Sequence, residues 1–348
     1  MDNRGTLHLS GLFPEELANW LEQQGQPKFR GKQIFQWIHG QTVQDFGEMT
    51  NLPKALQTQL KDEFGKPLPL NLAITRVSQD GTEKYLFALA DGATIETVLI
   101  PEGDRRTLCV SSQVGCAMNC SFCATGKSGY LRNLSAGEIV AQVLWVENRL
   151  RNEGLTLTNV VYMGMGEPLA NYEAVLKSIR LLNDPNGLNL GARRITISTC
   201  GLVPQIRSLA QERIQVGLAI SLHAVTDQIR SEVMPVNKRY PIAELLAAGD
   251  YYASQTGRRV SYEYALIAGF NDDFHHAHLL TELLQDRLCH VNLIPVNPVG
   301  DEERPSPEGI RKFSQILERG DIQVSVRKER GTDIEAACGQ LRQSILGE

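Results

Sequence analysis

No stretch of this 348-residue sequence approaches the ~18–20 consecutive apolar positions that a bilayer-spanning helix needs. The opening segment, MDNRGTLHLSGLFPEEL, lacks the basic-then-apolar order of a secretory signal. Aromatic residues are few, at 6%. Neither sign of charge dominates: 35 Lys and Arg stand against 40 Asp and Glu, giving a net charge of −5 that argues mildly against nucleic acid as a partner. There is no internal repeat and no low-complexity segment. A composition of 42% hydrophobic and 22% charged residues excludes global disorder, collagen and coiled coil. These absences point to an intracellular, cytoplasmic protein with no membrane association. The length allows one large α/β domain with a small appendage, or two to three medium domains.

What the sequence does contain is cysteine: Cys109, Cys116, Cys120, Cys123, Cys200, Cys289 and Cys338. An odd number of cysteines without an export signal argues against a disulfide scaffold. The first four fall within fifteen residues, and such crowding suggests a metal site.

Residues 1–90 read as a helical N-terminal module. Helix-like apolar spacing runs through Pro14–Gln24, Gly31–His39 and Leu52–Phe64, with Pro53 near a helix start. β-like stretches at 84–89 and 95–100 flank Asp91-Gly92, a hairpin signal. Beyond about residue 105, short apolar runs alternate with amphipathic ones. Strands are predicted at 107–112, 159–163, 194–199, 216–222, 260–267, 291–296 and 323–326. Helices are predicted at 136–153, 172–182, 206–211, 242–254, 274–284 and 308–317. Ser135 and Glu138 fit a capping box. The alternation predicts a parallel sheet with helical crossovers, either an open or partial (β/α) barrel or a doubly wound sheet. No Rossmann fingerprint follows the first strand, which disfavours the second option.

Cys116-Ala-Met-Asn-Cys120-Ser-Phe-Cys123 places three thiols on one short loop after the first barrel strand. Structural zinc sites usually take four ligands. Three thiolates on a four-iron cube leave one iron open to a substrate. A zinc knuckle and buried thiols are the alternatives. Further along, Met163-Gly164-Met165-Gly166-Glu167-Pro168 follows the second strand. Its glycines permit close backbone approach to a ligand, and Glu167 can accept from an ammonium group. Ser198, Ser221-Leu222-His223 and Asn297 fall at the carboxyl ends of later strands, the face where (β/α) barrels build their sites. Each of them taken singly also fits an ordinary turn residue.

The cysteine spacing resembles that of radical S-adenosylmethionine (SAM) enzymes. Several further segments extend the likeness over most of the chain: Cys109, Gly115 to Glu138, the Gly-Met-Gly-Glu-Pro run, Phe29 to Ile38, Met49 to Pro53, and Arg330 to Leu341 with Cys338. Together they resemble the RlmN/Cfr family of radical SAM adenine methyltransferases. The resemblance implies a partial (β/α) radical SAM barrel over 91–331, preceded by the 1–90 module in contact with RNA and followed by a catalytic tail, 332–348. It implies a [4Fe–4S] cluster on Cys116, Cys120 and Cys123. SAM would be bound by Gly166, Glu167, Ser198, Ser221, Leu222, His223 and Asn297, with Phe122 packing on its adenine or serving as a core aromatic. The implied reaction is methylation at adenine C2 in 23S rRNA and tRNA, using two SAM per turnover. C2 carries an sp² C–H that cannot attack a methyl group, so Cys338 would carry the methyl as S-methylcysteine, thiolates being good nucleophiles. Cys109 would resolve the RNA adduct through a transient disulfide with Cys338. Glu96 would accept a proton, although its alternating strand also suits an exposed carboxylate. The resemblance further implies a monomer and a flavodoxin-type electron donor.

Adenine C8 methylation, as in Cfr, shares these motifs. A non-catalytic iron–sulfur RNA-binding protein is the reading from another class, and the Cys109–Cys338 pair weighs against it. Cys200 and Cys289 are expected to be core thiols, and His275, His276 and His278 a solvated or capping face. For RNA, Lys28, Arg30 and Lys32 interleave with Phe29, Phe35 and Trp37, a mix suited to phosphate contact and base stacking. Doublets such as Arg105-Arg106 and Arg327-Lys328 supply further charge, and an RNA site requires basic residues concentrated at its mouth.

Overall fold

The computed structural model describes residues 7–297 and 303–341; residues 342–348, at the end of the expected tail, lie outside the described residues. Three short helices open the chain: α1 (Pro14–Gln23), α2 (Arg30–Phe35) and α3 (Lys54–Phe64). Then come β1 (Asn71–Val77), β2 (Glu83–Ala88), β3 (Thr94–Glu102), β4 (Arg105–Cys109), β5 (Gln113–Gly115), α4 (Ala124–Lys127), β6 (Tyr130–Asn133) and α5 (Ala136–Arg151). Strands and helices alternate from there: β7 (Asn159–Tyr162), α6 (Tyr172–Asn183), β8 (Ile195–Thr199), α7 (Val203–Gln211) and β9 (Gly217–Ser221). The series closes with α8 (Asp227–Val233), α9 (Ile242–Thr256), β10 (Val260–Leu266), α10 (Phe274–Leu284), β11 (Cys289–Pro295), α11 (Pro307–Arg319) and β12 (Val324–Val326).

Ten strands form one sheet in the order β1-β2-β3-β4-β7-β8-β9-β10-β11-β12. The first four pair antiparallel, and β4 and β7 to β12 pair parallel. The parallel strands never reverse their order. A doubly wound sheet requires a reversal at its switch point, so this sheet is the singly wound, partial-barrel kind. β5 and β6 form a separate two-stranded ribbon around the cysteine loop.

Sheet and N-terminal module do not divide at residue 90. β2 pairs with β3 across the Asp91-Gly92 turn, with Ala88 opposite Thr94, so β1 and β2 extend the barrel sheet and the helices end at Phe64. The Asp91 side chain closes that turn by accepting from the Ala93 N–H at 3.1 Å.

α5 ties the two regions together. Ser135 Oγ accepts from the Glu138 N–H at 3.2 Å, and the Glu138 carboxylate accepts from the Ser135 N–H at 2.8 Å, which completes the capping box. Most of α5 is buried because the sheet covers one side and the N-terminal turn at Leu9–Gly11 approaches the other, where Ser10 Oγ donates to the Gly137 carbonyl at 3.0 Å. Ile139, Val140, Val143 and Leu144 are wholly buried, each contributing about 1.5–3 kcal/mol.

Candidate active site

The carboxyl ends of β7, β8, β9 and β11 and the loop between β5 and α4 surround one cavity. Cys116, Cys120, Cys123, Gly166, Glu167, Ser198, Ser221, His223 and Asn297 all line it. Leu222 does not: its side chain is wholly buried in the hydrophobic core. Alternation along the strand end turns Ser221 to the cavity and Leu222 away, so Leu222 can serve the site through its backbone alone.

Glu167 is buried at the cavity wall. One carboxylate oxygen accepts from the Leu169 N–H at 3.0 Å and the other from the Cys200 N–H at 2.7 Å, while its own N–H donates to Gln113 Oε1 at 2.8 Å. Burial raises its pKa, and the two amide donors oppose that rise. A ligand cation beside it would favour the carboxylate further. Cys200, expected in the core, also lines the cavity, where burial and the neighbouring Glu167 push its thiol up.

Arg230 is fully buried behind this wall. It donates to the carbonyls of Cys200 at 2.7 Å, Ser221 at 3.0 Å and Leu222 at 3.0 Å, and to Asn237 Oδ1 at 2.9 Å. It gathers the ends of β8 and β9 into register. His223 accepts at Nδ1 from the Ala265 N–H at 2.9 Å, and its ring meets Phe122 edge-on at 4.8 Å. Burial, then Arg230, lowers its pKa to about 3, so the imidazole is neutral.

Burial acts on two thiols of the cysteine loop. It pushes Cys116 up to about 12 and raises Cys120 as well. Among the described residues no group of three or more His, Cys, Asp or Glu side chains converges on a point fit for a single ion. A cluster with one thiolate per iron instead needs its cysteines arranged around a space, and these three border the same cavity. Among the described residues Asn297 Oδ1 is buried there without a hydrogen-bond partner, an acceptor in want of a ligand donor. Donor set, cavity and orphaned acceptor fit a cluster with SAM beside it.

The tail brings Cys338 to this wall. The Gly339 carbonyl accepts from the Ala124 N–H at 2.7 Å, and the Leu341 carbonyl from Thr125 Oγ1. The Cys338 carbonyl accepts from Asn297 Nδ2 at 3.3 Å. On the other side, Asp333 accepts from Ser78 Oγ at 2.6 Å, and the Glu335 carbonyl from Lys84 Nζ at 3.1 Å. Cys338, Cys109 and Cys123 line one small cavity with Arg327. Burial pushes the Cys109 thiol up to about 12, with a further rise from Cys338. Burial raises Cys338 too, and the Arg327 guanidinium opposes this. All seven cysteines are free thiols, so the implied Cys109–Cys338 disulfide is not formed in this structure.

Glu96 is not the exposed carboxylate its alternating strand allowed. It is buried, with Lys84 Nζ at 3.1 Å. It shares a face of β3 with Val98 and Ile100, which line the Cys109–Cys338 cavity. Cys289 is a buried thiol, as expected, with its sulfur 3.9 Å from the Leu284 carbonyl. His276 meets Asp273, the N-cap of α10, at 2.8 Å. The basic–aromatic platform at 28–37 is not assembled. Phe35 is fully buried, Trp37 donates to Asn51 Oδ1 at 2.6 Å, and Phe29 alone of the three aromatics is exposed.

Residues 7–64 match the ribosomal RNA large subunit methyltransferase N-terminal domain, and residues 110–280 the radical SAM superfamily. A probable dual-specificity RNA methyltransferase RlmN of Symbiobacterium thermophilum is 48% identical, over 97% of this chain and 92% of that protein. The chain belongs to the RlmN family of radical SAM methyltransferases. Its cofactors are accordingly a [4Fe–4S] cluster and SAM. The RlmN relative from Heliobacterium modesticaldum is 50% identical over 98% of this chain and 90% of its own length. The crystal structure of a radical SAM methyltransferase from Sphaerobacter thermophilus superposes with a TM-score of 0.94 at 51% identity, covering 97% of this chain and 99% of that one. Within this family fold, sequence reasoning missed Arg230 and Glu263. Nothing local marks Arg230; Glu263 stands out as a carboxylate inside an aromatic and aliphatic strand.

Proposed function

We propose that this protein methylates C2 of specific adenines in 23S rRNA and tRNA, with Cys338 carrying the methyl group as S-methylcysteine. The observation that supports this most is the meeting of Cys338, Cys109 and Arg327 at one cavity beside the cysteine loop. When bound, the cluster and SAM supply the methyl group and the 5′-deoxyadenosyl radical. The chain's own residues do the rest. Glu167 and Asn297 hold the polar groups of SAM, and His223 and Phe122 border it as neutral surfaces. Cys338 takes the methyl on sulfur with loss of its thiol proton, and Arg327 is the cation beside that sulfur. Once a hydrogen is removed from the S-methyl group, the carbon joins C2 of the base. Glu96 stands as acceptor for the C2 proton, and the one electron released with it would return to the cluster, which gave up one electron in forming the radical. Cys109 then attacks the Cys338 sulfur: the S–S bond forms, the S–C bond breaks with its electron pair going to carbon, and that carbon takes up the proton given up by the Cys109 thiol and leaves with the RNA as a methyl group.

Mass spectrometry of 23S rRNA and tRNA from a strain lacking the gene should show loss of 2-methyladenine. Loss of 8-methyladenine instead would overturn the regiochemistry. Cys109→Ala should accumulate protein covalently joined to RNA, and Cys338→Ala should yield neither adduct nor methylated RNA. Normal release of methylated RNA from Cys109→Ala would reject the resolving role.

A further inference from the structure

Below the cofactor cavity, the interior of the barrel holds a second and larger space of about 550 Å³. That is the size of a small-molecule site. It reaches Cys338 at one end and is lined partly by polar side chains from the middle of the parallel strands, Glu263 and Asn292 among them. Aliphatic surface from Met163 and Ile294 supplies flat contact between these polar groups.

Glu263 sits in the middle of β10 and is 6% exposed. Its Oε2 accepts from Asn292 Nδ2 at 2.8 Å. Asn292 Oδ1 in turn accepts from Ser325 Oγ at 3.1 Å, and Ser325 Oγ lies 2.8 Å from His290 Nε2. This chain of hydrogen bonds fixes the carboxylate from behind. Among the described residues its second oxygen, Oε1, has no hydrogen-bond partner, and the side chain stands at the junction of this space with the cofactor cavity, bordering both. The oxygen is open to the space rather than sealed in the protein, so it is available to accept from a donor on whatever fills that space.

We propose that Glu263 is the specificity-determining residue that accepts a hydrogen bond from the exocyclic amine of the target adenine, held in this lumen with C2 toward Cys338. The inference rests on the reading of the protein as an adenine-C2 methyltransferase. A base taken out of its stack is read along its Watson–Crick edge and by contact with its faces. On that edge of adenine, C2 and the carbon bearing the amine flank N1, so one base can offer C2 to Cys338 and N–H to Glu263 within the same cavity. Guanine would present a carbonyl oxygen to the carboxylate, which pairs no donor and sets two acceptors against each other. Glu263 also faces the charge of Arg327. A merely structural role, as counter-ion to that guanidinium, is the competing account.

The test uses the reconstituted full chain with SAM and an RNA stem-loop carrying adenosine or purine riboside, which has hydrogen in place of the amine, at the target position. Rates are normalised to the S-methyl content of Cys338, read by peptide mass spectrometry. The wild type should favour adenosine by about 10- to 100-fold in kcat/KM, the usual value of a hydrogen bond to a charged group. Glu263→Met keeps the volume without the acceptor and should bring the ratio close to one, chiefly by slowing adenosine. Glu263→Gln, whose carbonyl still accepts, should restore most of the preference. An unchanged ratio in Glu263→Met overturns the proposal in favour of the counter-ion role. If the wild type methylates neither RNA, the methyltransferase reading fails first and takes this inference with it.

Discussion

At Gly166 the backbone has φ +105°, and a Cβ there would lie 2.6 Å from Gln113 Cβ; at Gly164 it would lie 2.7 Å from the Val110 carbonyl group. These two glycines therefore let the β7 turn press against the segment linking β4 and β5, a tighter demand than approach to a ligand. Gln113 also fixes Glu167, its Oε1 accepting from the Glu167 N–H at 2.8 Å. Gly166→Ala should cost roughly 1–3 kcal/mol of stability in urea unfolding and weaken SAM binding, because the displaced Gln113 releases Glu167. His39 offers a second measurement. Its ring is wholly buried, stacks on Phe35 at 4.1 Å and, among the described residues, has no hydrogen-bond partner at either nitrogen. Burial lowers its pKa from 6.5 to about 3. The folded state keeps this ring neutral while the unfolded chain takes up a proton below 6.5. Its contribution is thus intact above pH 6.5 and declines by about 1.4 kcal/mol per pH unit as pH falls toward 3. His39→Leu should flatten the dependence of unfolding free energy on pH between 6 and 4 by close to one proton. An unaltered slope would show that His39 is not the group responsible.

The tail from Arg327 to Leu341 has almost no regular structure, so its position depends on side-chain and backbone anchors. Arg327 N–H donates to the Leu293 carbonyl at 2.8 Å, and Gly331 N–H to Asp80 Oδ2 at 3.0 Å. Asp333 binds Ser78 and Lys84 binds the Glu335 carbonyl. The β1–β2 hairpin is therefore a dock for the segment that bears Cys338 as well as an extension of the sheet. Hydrogen bonds from Ser78 and Gln79 hold the Asp333 carboxyl below its ordinary range. Asp333→Ala should leave the barrel folded and free the tail, raising the rate of Cys338 alkylation by iodoacetamide several-fold. An unchanged rate would assign the docking to the other anchors.

Across the whole molecule, a net charge of −5 coexists with a cluster of cations at the opening of the barrel interior. Arg105, Arg327, Lys328 and Arg330 border that opening with Glu102 and Glu329, and Arg330 is loosely paired to Glu102 at 3.8 Å. The local excess is positive, as an RNA backbone approaching the lumen requires. RNA affinity should fall as salt rises. Arg105→Ala and Lys328→Ala should each reduce the slope of log affinity against log salt by about 0.7–0.9 per lost phosphate contact, measured by fluorescence anisotropy with a stem-loop. Slopes identical to wild type would move the RNA path away from this opening. Among the described residues, no helix is long and apolar enough to cross a membrane.

Much of the barrel follows from local pattern. Alternation of strand and helix, the capping box at Ser135 and the turn at Asp91 depend on neighbours a few residues apart, and each lies where the periodicity places it. The same holds for Cys116, Cys120, Cys123, Glu167, Ser198, Ser221, His223 and Asn297, because side chains just after parallel strands share one face of a barrel. Burial of individual side chains is another matter. Phe35 packs inward instead of stacking outward, Leu222 turns into the core beside a cavity-lining serine, and Cys200 joins the cofactor wall. The β1–β2 hairpin leaves the helical module for the sheet. Each of these outcomes depends on which distant surface arrives to cover the residue. Glu263 gains its meaning only when β11 and β12 supply Asn292 and Ser325 behind it. Sequence alone determined the order of elements and the loops that carry the chemistry, since both are encoded by short-range periodicity. Tertiary structure alone decided which carboxylate faces the lumen and which thiols meet, since burial and pairing come from contacts between segments far apart in the chain.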